Sequence, residues 1–193
     1  MPGICRGQAR AKFWWWCEMK RVIVFFDYSN FHQSLNRLTR GEFPDQKKFD
    51  FKGFVETLTL GMDLIKVYFV CSSAPTSGPG QQRFYDWLDG QDYFYVKQFE
   101  RKTNSQGEQR EKQVDVYLAT QVVALAYENA YDVAIIVSGD EDYVPAIEIV
   151  QQKGKIIVVV SAASLLSDIL RKKADRVLLI DAGGELGFEN FLS

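Results

Sequence analysis

The chain has 193 residues, 47% of them apolar and 25% charged, with a formal net charge of −2; that suffices for one substantial domain but not two, and the mixture excludes a disordered or fibrous chain. No apolar run approaches the roughly 20 residues of a membrane span, so no membrane partner is expected, and the net negative charge gives no global grip on a long duplex. Cys5, Cys17 and Cys71 share no metal-ligand spacing, the single His32 excludes a multi-histidine zinc site or a conventional histidine triad, and an odd number of free thiols fits a reducing, cytoplasmic location.

The first twenty residues, MPGICRGQARAKFWWWCEMK, do not match the rest of the chain. Arg6, Arg10, Lys12 and Lys20 outnumber Glu18, but no apolar segment and no small-residue cleavage site come after them, so this is not a signal peptide. Trp14, Trp15 and Trp16 fit neither helical nor strand periodicity. Met19-Lys20-Arg21 then opens a clean strand, and Met19 is expected to be the natural start. Residues 1–19 are read as a non-native or disordered extension, 20–181 as the domain and 182–193 as a tail.

From Arg21 onward, short apolar and β-branched runs at 22–26, 64–71, 93–98, 133–137, 155–160 and 176–180 read as buried strands. Helical patterns lie between them at 28–38, 51–59, 81–88, 114–129, 143–152 and 164–172. Strands apolar on both faces, alternating with helices, indicate an α/β fold: three α/β/α layers around a central, mainly parallel sheet. Two loops stand out, 71–80, rich in Ser, Pro and Gly, and the polar 100–113.

Ligands of an open parallel sheet sit beyond the carboxyl ends of the strands, where strand order reverses. The first strand ends Phe25-Phe26-Asp27-Tyr28-Ser29-Asn30 and the fourth Val137-Ser138-Gly139-Asp140-Glu141-Asp142, so each delivers acid at its tip. Asn30, three residues after Asp27, faces the same side once a helix starts. Asp115 opens the long helix. Each acid alone has a plain explanation: Asp115 complements a helix dipole, Asp142 caps the helix containing Pro145, and Asp27 sits in a strand-to-helix turn. Four carboxylates converging on one crevice would repel unless a cation neutralised them. Hard oxygen donors suit Mg²⁺ or Mn²⁺, and acids plus such an ion are sufficient for phosphodiester hydrolysis without a histidine base.

The stretches Val24–Asn30, Lys112-Gln113-Val114-Asp115-Val116 and Val137–Pro145 resemble, in order and spacing, the NYN domain in its LabA-like branch, within the PIN-like nucleases. The Ser-Gly-Asp-x-Asp-Tyr-x-Pro run is the most specific element, and the match spans roughly 20–181. The resemblance implies a PIN-like fold and a metal-dependent ribonuclease acting on RNA, single-stranded by expectation. It assigns Asp27, Asp115, Asp140 and Asp142 to the catalytic metal site. Asn30 then orders site or substrate, Ser138 is the small hydroxyl residue before the acidic turn, and Lys112 is a phosphate contact. Tyr28 replaces a usual small residue, and Glu141 adds an acid between the paired aspartates. A homodimer is carried as an open expectation, since small PIN-like domains often pair.

The charged loop 97–112, with Lys97, Arg101, Lys102, Arg110 and Lys112, reads either as an arm for RNA phosphates or as a solvated loop. Tyr28, Phe31 and Phe99 are candidates for stacking on unpaired bases or for partly buried core. His32 is expected on the surface or hydrogen-bonded rather than on a metal. Asp175 reads as a turn or cap residue, and Ser161 and Ser164 as caps of the helix over 165–172. Among other chemistries, a haloacid-dehalogenase-like site would want an acid where Ser29 stands, a receiver domain one where Gln98 stands, and a dinucleotide fold a glycine-rich first turn. The competing class is a nonhydrolytic RNA-binding or protein-interaction module that keeps a metal site.

Overall fold

Six runs of β-branched and aromatic residues form one sheet because their side chains find apolar cover on both faces. In the computed structural model, which describes residues 19–39, 49–73, 79–100, 102–103, 109–110, 112–183 and 186–192, these are β1 (Arg21–Asp27), β2 (Asp63–Ser73), β3 (Phe94–Glu100), β6 (Val133–Val137), β7 (Ile156–Ser161) and β8 (Arg176–Leu179). Two-residue strands β4 (Lys102–Thr103) and β5 (Gln109–Arg110) pair antiparallel within the polar loop. The helices are α1 (Tyr28–Leu38), α2 (Phe51–Leu58), α3 (Pro79–Asp89), α4 (Lys112–Tyr127), α5 (Val144–Gln151) and α6 (Asp168–Lys173). The extension up to Glu18, with Cys5, Cys17 and the tryptophan run, lies outside the described residues, as does half of each marked loop.

The sheet order is β3-β2-β1-β6-β7-β8 and every pairing in it is parallel. Chain order therefore runs outward in both directions from the β1–β6 seam, making this the switch point at which α/β folds open a crevice. Helices α1, α2 and α3 close one face over Phe26, Phe54, Phe69 and Tyr85. The other face is closed by α4, α5 and α6 over Phe25, Leu118, Ile147 and Leu170. The expected three-layer α/β/α architecture is what the chain adopts. Among the described residues, no helix is long and apolar enough to cross a membrane.

The last helix departs from expectation. It begins at Asp168, and Ser167, not Ser161 or Ser164, caps it by accepting the Leu170 N–H at 3.2 Å. Ser161 still belongs to β7, and residues 163–165 form a turn; Pro is absent here, so nothing in the apolar pattern marks the turn. Asp175 is a strand tie: its carboxylate accepts the Ile157 N–H at 2.8 Å and Gln151 Nε2 at 3.2 Å, joining the α6–β8 turn to β7 and α5.

At the end opposite the crevice, Arg21 opens β1 and Asp132 precedes β6. The guanidinium donates to both Asp132 oxygens, Nε to Oδ2 at 3.2 Å and Nη2 to Oδ1 at 2.8 Å, while the Arg21 N–H donates to Oδ2 at 2.9 Å. This fork sets the register of the two strands whose far tips carry the acids. The hydrogen bond from Arg21 holds the Asp132 carboxyl down at about 2, against some opposition from burial. A depressed carboxylate contributes stability above its unfolded value, near 3.9, and loses it as pH falls toward about 2. The pair is about one-third exposed (36% for each side chain), which shrinks the effect. Asp132→Asn is expected to lower stability by about 0.5–1 kcal/mol at pH 7 and by progressively less between pH 4 and 2. Thermal melts of both proteins across that range check it; a gap that persists at pH 2 would contradict it.

Candidate metal centre

β1 ends on Asp27, which is 3% exposed. A buried carboxylate must be hydrogen-bonded or it destabilises the fold, and this one is. Its Oδ1 accepts the Asn30 N–H at 3.0 Å, capping α1, while Oδ2 receives the hydroxyls of Ser138 and Tyr143, each at 3.4 Å. The plain reading of Asp27 as a helix cap and the reading as a site residue therefore both hold, because the cap lies on the crevice.

Across the seam, β6 runs into Ser138-Gly139-Asp140. Ser138 is 1% exposed, and its Oγ accepts the Asp140 N–H at 3.3 Å while facing Asp27; it joins two aspartates and has no surface to offer a substrate. Asn30 does similar work: its Oδ1 accepts the Gly139 N–H at 3.0 Å, tying α1 to the acidic turn. The Gly139 carbonyl accepts the Ser167 N–H at 3.0 Å. A Cβ on Gly139 would sit 2.4 Å from the Leu165 carbonyl oxygen and 2.6 Å from Ser161 Oγ, so close packing of two backbones, rather than an unusual φ, requires glycine.

Asp140 caps a 3-10 turn, Glu141–Tyr143, accepting the Asp142 N–H at 3.1 Å. The turn leads into α5, whose first residues include Pro145 and which has no side-chain cap. Asp142 thus caps nothing, contrary to the plain reading of it. Asp115 projects from the first turn of α4, which packs against this 3-10 turn. Asp115, Asp140 and Asp142 each offer a carboxylate oxygen lying within 4.8 Å of the others; the first two are half-buried and the third exposed. Asp27 is the fourth acid, outside that trio and reached through Ser138 and Tyr143.

Tyr143 and Gly139 both lie in the acidic motif, yet nothing in their sequence positions assigns either a role. Tyr143 is fully buried. Burial pushes its phenol well above the ordinary value, and the Asp27, Asp115 and Asp140 carboxylates add to the rise. It stays protonated and donates to Asp27. A tyrosine just after a glycine-acid turn carries this signal only once the turn is known to face other acids.

Other candidates fall elsewhere. Phe31 is 2% exposed and Tyr28 packs against Phe51, Phe69 and Tyr85, so the first is closed to bases and the second mostly so. His32 pairs its Nδ1 with Asn36 Nδ2 at 3.1 Å, away from the acids. Lys112 opens α4, but its side chain and those of Arg101, Lys102 and Arg110 lie outside the described residues.

The donor set fits a hard divalent cation. It is all oxygen, it is partly open to solvent, and neither Asp140 nor Asp142 is ion-paired among the described residues. Three carboxylates this close favour a counter-charge between them.

Comparison with known proteins bears on the family and the fold. A search of curated proteins returns no match. Among solved structures, a Vibrio parahaemolyticus RIMD 2210633 protein of unknown function, VPA0982, superposes with a TM-score of 0.67 at 20% identity, covering 92% of this chain and 98% of that one; the likeness is one of fold. The family model of the NYN domain matches residues 21–181, from the first residue of β1 to just past β8, and the chain belongs to the NYN domain family, of PIN-like fold.

Proposed function

We propose that this NYN domain, of the LabA-like branch, is a divalent-metal-dependent ribonuclease that hydrolyses RNA phosphodiester bonds. The observation that carries the reading is the convergence of Asp115, Asp140 and Asp142 within 4.8 Å at the switch point of the sheet. These three would hold Mg²⁺ or Mn²⁺, with Asp27 completing the site from its buried side. A bound ion of this kind supplies polarisation of a phosphoryl oxygen and a lowered pKa for the attacking water.

The protein's own contribution is placement. Asp142 is exposed, so an incoming phosphate would meet it first. Asn30 and Ser138 hold the acidic turn from below, so the carboxylates need not reorganise when the substrate binds. Water adds its oxygen to phosphorus, the bridging P–O bond breaks, and the products are a phosphate-terminated strand and a strand ending in a hydroxyl. Asp27 and Tyr143, both buried, keep their charge and proton fixed during the reaction.

Asp140→Asn is expected to abolish metal-dependent cleavage of labelled RNA, by roughly 100-fold or more, and to shrink the rise in melting temperature that Mn²⁺ gives the wild type. Wild-type protein inert on single-stranded RNA, structured RNA and DNA, yet stabilised by Mn²⁺, would instead support the nonhydrolytic module. Asn30→Ala should keep the fold and lose roughly 10- to 100-fold in kcat, as for other residues that orient ligands, with little change in KM. Gly139→Ala forces backbones apart and should cost about 1–3 kcal/mol in denaturant melts; a neutral effect there would contradict the close approach.

A further inference from the structure

β3 is an edge strand, and α3 packs on the face of it that carries Phe94 and Val96. Alternation puts Tyr95, Lys97 and Phe99 on the opposite face, where all three are half-buried. The helix of that layer nearest to them, α4, lies over β1 and β2. Tyr95 stands opposite Tyr68 of β2, with ring centroids 5.6 Å apart, and Tyr68 in turn stacks on the buried Phe25 at 5.7 Å. Phe99 meets Tyr117 of α4 at 5.5 Å. Burial first, and then the neighbouring Tyr95, push the Tyr117 phenol up to about 12. Four rings thus form one partly open surface on a rigid support.

Two ammonium groups lie on it. Lys66 Nζ is 5.5 Å from the Tyr95 ring centroid and Lys97 Nζ is 5.5 Å from that of Phe99. Glu128 acts on Tyr68, at the end of this surface away from the crevice. A solvent-facing sheet surface ordinarily alternates to polar residues, so a ring cluster left half-open calls for a ligand. A protein partner would have to bury two lysines in the centre of its interface, where charge is depleted. Phosphates pair with those lysines while bases stack on the rings, the combination by which single strands are held.

Position supports this occupant. Val114, Leu118 and Val122 form the buried stripe of α4. At about 100° per residue, Asp115 and Tyr117 fall on opposite flanks of that stripe, so one helix, about 10–12 Å across, separates the acids from the rings. Phe99 pairs with Ser72, beyond the level at which Asp27 pairs with Val70; the ring surface therefore ends at the rim that carries the acids.

We propose that the face formed by Tyr68, Tyr95, Phe99 and Tyr117, with Lys66 and Lys97, binds a single-stranded polynucleotide by base stacking and leads it over the first turn of α4 to the acidic trio. Only the direction of the strand rests on the ribonuclease reading; binding does not.

The test uses the full chain with 5′-labelled single-stranded RNA, single-stranded DNA and duplex RNA in EDTA, read by fluorescence anisotropy. A second readout is photocrosslinking of 4-thiouridine RNA, with crosslinked residues mapped by mass spectrometry. Wild type and Asp140→Asn should bind single strands alike, with crosslinks on Tyr95, Phe99 or Tyr117. The double variant Lys66→Glu/Lys97→Glu, which alters only side chains near the surface, should lose affinity and flatten the dependence of log affinity on log salt by about 1.4. Tyr95→Ala should weaken binding roughly five- to hundredfold, and Tyr95→Phe should restore it. RNA bound better than DNA would make RNA the ligand; equal binding would make the face a general single-strand site. Crosslinks elsewhere, affinity unchanged in the lysine variant, or a dimer that the lysine variant dissociates with no effect on RNA would each overturn the proposal. Binding and crosslinking at these rings by a protein that cleaves nothing would sink the nuclease reading alone.

Discussion

The seam between β1 and β6 governs this domain. Parallel strands meeting at a switch point splay their outgoing loops to opposite faces, and something must hold the loops together at the rim. Here a carboxylate and an amide do it. Asp27 reaches from β1 to Ser138 and Tyr143 on the β6 side, and Asn30 reaches from α1 to the Gly139 N–H. The Arg21–Asp132 fork closes the same seam at its far end. With both ends pinned, the positions of Asp140 and Asp142 derive from the register of two strands rather than from a free loop.

That arrangement explains why the acids divide by exposure. A fully buried carboxylate is tolerable only when donors surround it, and Asp27 has a backbone N–H and two hydroxyls. The trio instead keeps one side to solvent, where water moderates the mutual repulsion. One acid is buried among hydrogen bonds and three stand close together at the rim; the four look alike in sequence.

Much of this is legible in the residues. Strand positions come from β-branched runs, and the convergence of acids comes from the rule that α/β ligands sit at carboxyl ends. The misplaced start of α6 has a clear cause. Leu165 and Leu166 continue the apolar pattern, but Gly139 approaches Leu165 so closely that the backbone there turns rather than coils, a constraint set by a residue far away in sequence. Phe31 illustrates the same gap: next to Asn30 it reads as a stacking candidate, yet it lies edge-on to Phe26 at 4.8 Å in an aromatic core whose members come from β1, β2, α2 and α3. Of the three candidate stacking aromatics, Phe31 is buried and Tyr28 and Phe99 are half-buried; Phe99 lies on β3, an edge strand, which topology decides and local sequence does not.

The net charge of −2 and an acidic crevice look ill-suited to a polyanion, but the two layers of the fold resolve this. One face of the sheet is covered by an aromatic core that α1, α2 and α3 close, together with Phe49 and the segment around Leu186–Leu192. On the other, α4 buries a narrow stripe and leaves β3 partly uncovered, placing lysines over rings on one side of the helix and carboxylates on the other. On the two proposals, attraction and chemistry would be kept a helix width of about 10–12 Å apart, a little more than the Debye length of about 8 Å at physiological salt. A strand held by stacking would need few basic groups, because every base carries a π-face, and the acids could then stay unneutralised by lysine, as the proposed cation site would require. The weakly amphipathic character of α4, awkward for a surface helix, is what such a divider between two functional faces would show.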